Sequence, residues 1–138
     1  MNYLRTLIAV ADDCPVSKSV VPEPRAGKAT IATLQYEMLD GHPYEYTQED
    51  VLFESWLRRQ PGKRPAQSEL PRLWKKFFSK DQPCLRSSPL PKKYGWGLLF
   101  DEEGKVALCP MESKEYQRLV KARGGDVTVL KALRSNKG

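Results

Sequence analysis

The residues best suited to chemistry lie in one proline-rich basic segment, FFSKDQPCLRSSPLPKKYGWGLLF, which spans positions 77–100. Cys84 lies in this segment, with Arg86, Lys92 and Lys93 following it closely in the sequence. Nearby cations favour the thiolate, which is the reactive form of cysteine, so the pattern indicates a thiol-dependent enzyme or a redox sensor. A free cysteine is more often a small buried hydrophobic residue, and that interpretation also stays open for Cys84.

The same cations predict an anion-binding loop. Arg86 offers a planar fork to a phosphate or carboxylate group, whereas Lys92 and Lys93 act as point charges. The prolines of the loop hold it still, which lowers the entropy lost when a ligand binds. We therefore expect a non-catalytic binding domain that holds an anionic partner on residues 80–93. The partner is expected to be a nucleic acid, a phosphorylated ligand or an acidic protein surface.

The distribution of charge supports that expectation. Residues 58–93 contain eleven basic side chains and two acidic ones, a net charge of +9, so the remainder of the chain carries −3 of the total of +6. Basic segments of this kind attract polyanions over long distances. The alternative interpretation is a solvated face that keeps the protein soluble.

Two glycines mark a second candidate surface. Gly95 and Gly97 fall within a predicted strand, Tyr94–Phe100, whose aromatic and apolar residues alternate. Glycines leave one face of a strand bare, so a backbone, a side chain or a ligand can approach it closely. We include both glycines among the ligand-binding candidates, and a protein–protein interaction module that uses their face is the third functional hypothesis.

Other kinds of site receive little support from the sequence. His42 is the sole histidine and no Cys-x-x-Cys spacing occurs, so no metal site is predicted. Ser87 and Ser88 lack the surroundings of a catalytic serine, and no phosphate-binding loop is present. No cofactor is expected.

Hydrophobic periodicity predicts an α+β domain with the element order β-α-α-α-β-β-α-β. The predicted strands are Tyr3–Ala11, Tyr94–Phe100, Lys105–Cys109 and Val127–Leu133, and the predicted helices are Thr30–Leu39, one from Thr47 to the Pro61-Gly62 pair, one beginning at Ser68, and Ser113–Arg123. The natural packing is a mostly antiparallel sheet of about four strands with helices on one face.

Local signals refine these helices. Thr47 and Asp50 resemble a capping box at the start of the second helix, and Ser68 is expected to cap the third. The third helix has the strongest amphipathic pattern, so its apolar residues, including Trp74, are expected in the core. In the last helix, Tyr116, Leu119 and Val120 are expected to point inward, and Gly124-Gly125 follows its end.

Length and composition indicate one domain over residues 1–138 with a basic tail at about 134–138. Three cysteines without zinc-binding spacing, and no apolar export signal, favour a cytoplasmic protein with reduced thiols. No stretch is long enough to cross a membrane, so no membrane partner is expected. The oligomeric state stays open.

Several stretches carry a resemblance to a known family. They are DDCPVS at 12–17, LQYEML at 34–39, HPYEYTQEDVLF at 42–53, FFSKDQPCLRSSPLPKKYGWG at 77–97, GKVAL at 104–108 and VLKALRS at 129–135. On these motifs the chain resembles a family of small, mostly bacterial single-domain proteins of unknown function. The resemblance covers nearly the whole chain and implies a single domain, but it implies no activity, cofactor or partner.

Overall fold

Five strands and five α-helices are formed by residues 3–122 and 125–135, the parts of the chain that this computed structural model describes. The strands are β1 (Thr6–Ala9), β2 (Tyr46–Thr47), β3 (Trp96–Phe100), β4 (Lys105–Pro110) and β5 (Thr128–Lys131). The helices are α1 (Ile31–Leu39), α2 (Gln48–Arg58), α3 (Leu70–Phe78), α4 (Pro89–Lys93) and α5 (Lys114–Lys121). Short 3₁₀ helices cover Gln67–Glu69 and Leu85–Ser87. The predicted α+β class is confirmed.

The strands form a single mixed sheet in the order β2-β4-β3-β1-β5. Its pairs are antiparallel except for β1 and β5, which run parallel with Leu7 opposite Val129. The mostly antiparallel sheet is therefore confirmed, with five strands instead of about four. The additional strand, β2, is only two residues long and pairs with Val106 and Lys105, so hydrophobic periodicity gives no signal for it.

Both faces of the sheet are covered, which explains why every residue of β1 is buried. Leu98, Phe100 and Val106 belong to the core cluster that α1, α2 and α4 complete. Leu7 and Leu99 belong to a second cluster with Tyr116 and Leu119 of α5. Because side chains alternate along a strand, the two clusters lie on opposite faces. The structure thus adds α5 to the face that the sequence prediction left uncovered.

Side-chain caps fix the start of the helices that form the core. Thr47 accepts a hydrogen bond from the Asp50 N–H at 3.2 Å, while Asp50 accepts one from the Thr47 N–H at 3.0 Å, so the predicted capping box is confirmed. Thr30 and Thr33 form the equivalent pair before α1, and Ser113 caps α5. These bonds satisfy backbone donors that the first turn of a helix leaves free.

The expectations for α3 were partly wrong. Ser68 lies inside the 3₁₀ turn and is not the cap, and no side chain caps α3, although Pro71 does occupy its first turn. None of the α3 residues is fully buried, so Trp74 is only partly covered and not in the core. The reason is position, because the helix lies at the periphery against the aromatic rings of α2.

Helix α4 was expected to be a loop, because Pro89 and Pro91 punctuate its sequence. Proline is tolerated in the first turn of a helix, where its missing N–H has no acceptor to lose. Ser88 completes the start by accepting a hydrogen bond from the Leu90 N–H at 3.2 Å. Leu90 is 0% exposed, which shows that burial in the core offsets the weak local signal.

The predicted β3–β4 hairpin is confirmed, with Gly104 at φ +81° in the turn. The predicted start of its first strand at Tyr94 was wrong, because Tyr94 ends α4, Gly95 has φ +76°, and β3 begins at Trp96. Towards the end of the chain, Val120 is 38% exposed, so its predicted inward position was wrong, whereas Tyr116 and Leu119 are buried. The predicted helix end at Arg123, Gly124 and the tail at 136–138 lie outside the described residues. Over the described ranges, no helix is long and apolar enough to span a membrane.

Candidate functional site

A cavity of about 590 Å³ lies between α1, α2, the end of α3 and residues 82–89. We call it the α1–α2 cavity. It is defined by Gln35 of α1, Trp56 and Arg59 of α2, Phe77 of α3, and the segment from Gln82 to Pro89. A volume of this size suits a small organic ligand.

Gln35 supplies a deeply buried amide group to the α1–α2 cavity, since this residue is only 3% exposed. Its Oε1 accepts a hydrogen bond from Ser88 Oγ at 2.6 Å, and Ser88 Oγ in turn accepts from the Leu90 N–H. Among the described residues, Gln35 Nε2 has no hydrogen-bond partner. A buried amide usually finds partners for its two N–H groups, so this nitrogen is a candidate donor to a ligand.

The wall formed by α2 combines aromatic, hydroxyl and cationic groups. Ser55 is buried and its hydroxyl donates to the Val51 carbonyl at 2.7 Å, which leaves the lone pairs of Ser55 Oγ available. The half-buried ring of Trp56 packs against Phe77, with 5.0 Å between the ring centroids. Arg59 follows α2 and is exposed at the cavity lining.

Segment 82–89 is pinned to its neighbours on both sides. The Leu85 N–H donates to Oε1 of the buried Gln48 at 2.8 Å, and Gln82 Nε2 donates to the Phe77 carbonyl at 2.8 Å. These bonds hold Cys84 at the cavity lining, where it is half-buried. The segment therefore presents Cys84 at the lining of the cavity.

The hydroxyl group of Tyr3 donates a hydrogen bond to Cys84 Sγ at 3.3 Å. Burial and the neighbouring Cys84 together raise the pKa of Tyr3 to about 12, so the phenol stays protonated and remains a donor at neutral pH. Cys109, by contrast, is 1% exposed, and burial raises the pKa of its thiol to about 11.

The charge of the α1–α2 cavity lining comes from a single residue among those that the structure describes. Of the described residues that line it, Arg59 alone is charged, and none carries a carboxylate. No ion pair joins Arg59 to any carboxylate in the described parts of the chain. The cavity therefore has a positive potential at Arg59 that the protein itself leaves unneutralised.

The predicted basic residues do not join Cys84 at this cavity. Arg86 Nε donates to the Lys131 carbonyl at 2.9 Å, and the Arg86 carbonyl accepts from the Leu133 N–H at 2.9 Å. Both contacts lie along β5, outside the cavity lining. Lys92 and Lys93 lie in the last turn of α4 and do not line the cavity either.

Gly95 and Gly97 are approached by the protein's own groups. A Cβ at Gly95, where φ is +76°, would lie 2.9 Å from the Lys18 carbonyl oxygen. A Cβ at Gly97 would lie 2.9 Å from the Cys109 carbonyl oxygen and 3.0 Å from a ring carbon of Tyr116. The close approach that the glycines predicted is thus made by a backbone segment and a side chain.

Sequence reasoning did not select Gln35, Ser55, Trp56 or Arg59 as site residues. Two of them carried a usable signal, because Gln35 and Ser55 are polar residues on the inward faces of α1 and α2. A polar residue at a buried helical position either completes an internal hydrogen bond or lines a cavity. Arg59 carried no such signal, since it is one of many cations in its segment.

A larger and more open cavity of about 730 Å³ lies on the other side of α2. Its acidic residues already have partners within the protein. Glu54 pairs with Arg58 and Arg64, Asp50 caps α2, and Glu45 pairs with His42. Within the described ranges, no three residues among His, Cys, Asp and Glu lie close enough to hold a metal ion. The carboxylates of this second cavity therefore have partners within the protein, whereas Arg59 of the α1–α2 cavity has no ion-pair partner among the described residues.

The fold is thus of the α+β class, and the α1–α2 cavity has Arg59 as the one charged residue among the described residues that line it. The chain belongs to the family of unknown function DUF6157, whose sequence model matches residues 1–138. The small single-domain family that the motifs indicated is thereby confirmed. No curated protein and no solved structure shows significant similarity to the chain.

Proposed function

We propose that this protein is a non-catalytic binding domain that holds a small anionic ligand in the α1–α2 cavity. The observation that carries the proposal is the lining itself, in which the unpaired Arg59 is the one charge among the described residues. An arginine without a protein partner offers a planar, bidentate site to a carboxylate or phosphate. The site replaces the loop 80–93 as the location of the anion, although Cys84 and Ser88 of that loop contribute to it.

The other polar groups of the cavity suit recognition more than catalysis. Gln35 Nε2 and Ser55 Oγ can fix the orientation of a ligand by one donor and one acceptor. Proton transfer near neutral pH usually relies on histidine, a carboxylate, lysine, tyrosine or cysteine. Among the described residues that line the cavity, Cys84 is the one such group.

A small ligand also fits the geometry better than a nucleic acid. The α1–α2 cavity is concave and ligand-sized, whereas Arg86 is engaged with β5 and Lys92 and Lys93 lie elsewhere on α4. Binding of a nucleic-acid backbone requires several cations arranged along one surface. The net charge of +6 then serves to attract the anionic ligand by its long-range field.

The proposal is tested with two probes that share one ring system, 2-naphthoate and the uncharged 2-naphthamide, using isothermal titration calorimetry. We expect the acid to bind more tightly than the amide. Arg59→Gln should weaken naphthoate binding about tenfold, the loss expected for one charge-assisted hydrogen bond. Lys63→Gln is the matched control, because it removes an equal charge from the linker between α2 and the 3₁₀ turn before α3, outside this cavity.

Lys63→Gln should change the affinity for naphthoate by less than a factor of about two, since exposed charges are screened by salt. Equal losses from Arg59→Gln and Lys63→Gln would show that the protein attracts anions only through its net charge. No binding of either probe to the unmodified protein would remove the proposal.

A second candidate function is thiol chemistry at Cys84. It is favoured by the Tyr3 hydroxyl that donates to Cys84 Sγ and by the position of this thiol at a cavity lining. Under this hypothesis iodoacetamide at pH 7.5 should alkylate Cys84 well before Cys109, and Tyr3→Phe should slow the reaction of Cys84. Peptide mapping by mass spectrometry measures all three cysteines together. A Cys84 that reacts no faster than the buried Cys109 would exclude thiol chemistry.

A further inference from the structure

Helix α3 is held to the rest of the protein mainly by aromatic contacts. The rings of Trp74 and Phe77 pack on Phe53 at centroid distances of 5.1 and 5.8 Å, and Phe77 also packs on Trp56 at 5.0 Å. None of the α3 residues is fully buried, although its apolar residues form one continuous stripe. The stripe is therefore only half covered by the protein.

The apolar stripe of α3 lies over gaps between elements. Phe77 borders the α1–α2 cavity, Leu73 borders a cavity of about 400 Å³ beside the linker, and Trp74 borders the cavity of about 730 Å³. Apolar side chains that line a gap lose the dispersion contacts that a filled space would provide. The packing of α3 is thus incomplete on the side that faces the body of the protein.

Within the described residues, few hydrogen bonds or ion pairs join α3 to its surroundings. The Phe77 carbonyl accepts a hydrogen bond from Gln82 Nε2 at 2.8 Å. The ion pair of Arg72 is with Glu69, in the turn immediately before the helix. Over residues 3–122 and 125–135, no ion pair joins α3 to another helix or to the sheet. Its attachment therefore depends on how well its rings are packed.

The α1–α2 cavity is lined by rings that a flat apolar group can contact. The rings of Trp56 and Phe77, inclined at 41° to each other, lie on one side, and Pro83 and Pro89 line the cavity from segment 82–89. Aromatic and proline rings present broad apolar surfaces, and stacked aromatic pairs gain energy beyond their buried area. Gln35 is buried and Arg59 is exposed, so the cavity offers polar contacts both in its interior and at its surface.

We infer that the ligand is a planar aromatic acid whose ring packs on Trp56 and Phe77 and whose acid group binds Arg59, and that its binding completes the packing of α3. This inference rests on the proposed function, because it names the ligand class of the same cavity. The ring fills the gap beneath Phe77, and Gln35 Nε2 donates to an acceptor on the ligand. Bound ligand therefore stabilises α3, and free protein leaves the helix loosely attached.

The shape of the ligand is tested by comparing 2-naphthoate with decahydro-2-naphthoate by calorimetry. The two acids have the same carbon skeleton and charge, but only the first is flat and aromatic. We expect 2-naphthoate to bind about tenfold more tightly, because only a flat ring stacks on Trp56 and Phe77. Equal affinities would overturn the inference and leave the proposed function standing, whereas failure of both acids to bind would remove both.

Variants of neighbouring residues test the role of α3. Phe77→Leu keeps an apolar side chain at the cavity lining but removes its flat face, and it should weaken 2-naphthoate binding about five- to tenfold. Phe78→Leu makes the same change one residue later, at a ring that contacts Trp74 and Phe77 but does not line the cavity. It should leave the affinity within about a factor of two, since it removes no contact with the ligand. Equal effects of the two variants would contradict a direct contact with Phe77.

Hydrogen exchange measured by mass spectrometry tests the coupling between ligand and helix. Saturating 2-naphthoate should slow amide exchange in peptides that cover residues 70–78 by at least about threefold, because local opening of α3 would require loss of the ring contacts. Peptides that cover β1 serve as the internal reference and should change little. Unchanged exchange in α3 at saturation would show that the helix does not close on the ligand.

Discussion

At the scale of single residues, Arg86 shows how one side chain can protect the edge of a sheet. In the parallel pair β1–β5, the Thr128 and Ala132 N–H groups bond to β1, so the backbone groups of Lys131 and Leu133 point outward. Arg86 bonds to both of these outward groups, through Nε and through its own carbonyl. An unprotected strand edge can pair with other chains, and Arg86 occupies two of the outward backbone groups at this one.

We therefore predict that Arg86→Ala destabilises the fold. Loss of the Nε bond to the Lys131 carbonyl should lower the free energy of unfolding by about 1 kcal/mol. Lys93→Ala is the control, because this exposed side chain makes no ion pair within the described residues, and its effect should stay within about 0.5 kcal/mol. Urea denaturation followed by circular dichroism measures both variants. A midpoint for Arg86→Ala that matches that of Lys93→Ala would show that the edge contact contributes nothing.

At the scale of elements, the burial of α3 and α4 is the reverse of what their sequences indicate. α3 has an amphipathic pattern with a clear apolar stripe, yet it lies at the periphery. α4 is five residues long and contains two prolines, yet Leu90 and Pro91 are among the most buried side chains. Local periodicity reports which face of a helix is apolar, but tertiary position decides how much of that face is covered.

The contrast predicts an order of stability effects. Leu90→Ala should cost about 2–5 kcal/mol, since it creates a cavity in the core. Trp74→Ala should cost less than Leu90→Ala, although tryptophan is larger, because its ring is only partly covered and its main contacts are Phe53 and Phe78. Chemical denaturation of both variants under the same conditions gives the comparison. A larger loss from Trp74→Ala would place α3 in the core, as its amphipathic pattern first indicated.

The linker between α2 and α3 is anchored by one carboxylate. Glu54 accepts from Arg58 Nε at 2.7 Å and from both terminal nitrogens of Arg64, at 2.8 and 3.0 Å. The hydrogen bonds from Arg64 are the main cause of the lowered pKa of Glu54, whose ordinary value is 4.5. A carboxyl group with a lower pKa in the folded state stabilises the fold above its unfolded-state pKa, and this contribution is lost as the pH falls through the folded-state value.

Glu54→Gln should therefore destabilise the protein at pH 7, and the difference from the unmodified protein should shrink as the pH is lowered below 4.5. Urea midpoints measured at pH 7, 4.5 and 3 give this dependence. Glu102→Gln, in the exposed hairpin turn, is the matched control and should show no such convergence. A difference between Glu54→Gln and the unmodified protein that stays constant with pH would mean that ionisation of Glu54 does not matter.

The sequence could predict those features that local chemistry decides. The capping box of Thr47 and Asp50, the hairpin turn at Gly104 and the alternation in β3 are all local, and all were confirmed. The α1–α2 cavity could not be predicted, because it brings together α1, α2 and segment 82–89, which are distant in the chain. Arg86 likewise has a side chain suited to binding an anion. Its actual partner, the Lys131 carbonyl, depends on the tertiary position of β5, which the sequence does not reveal.

At the scale of the whole molecule, the sheet lies between two hydrophobic clusters. Ile8, Leu98 and Phe100 face α1, α2 and α4, and Leu7 and Leu99 face α5. The Tyr116 ring of α5 lies directly over Gly97, and its hydroxyl accepts a hydrogen bond from the Val10 N–H at 2.9 Å. Gly97 is thus a position at which α5 approaches the sheet closely, and its missing side chain makes this approach possible.

Gly97→Ala should therefore destabilise the whole domain, even though the new methyl group is small. Its Cβ would lie 2.9 Å from the Cys109 carbonyl oxygen and 3.0 Å from the Tyr116 ring, closer than ordinary van der Waals contacts. We expect a cost of about 1–3 kcal/mol, the range for overpacking in a core. Gly125→Ala is the control, because its Cβ would meet only Ala122 Cβ at an ordinary 3.7 Å. Urea denaturation that shows no greater loss for Gly97→Ala than for Gly125→Ala would mean that α5 does not pack against β3 as described.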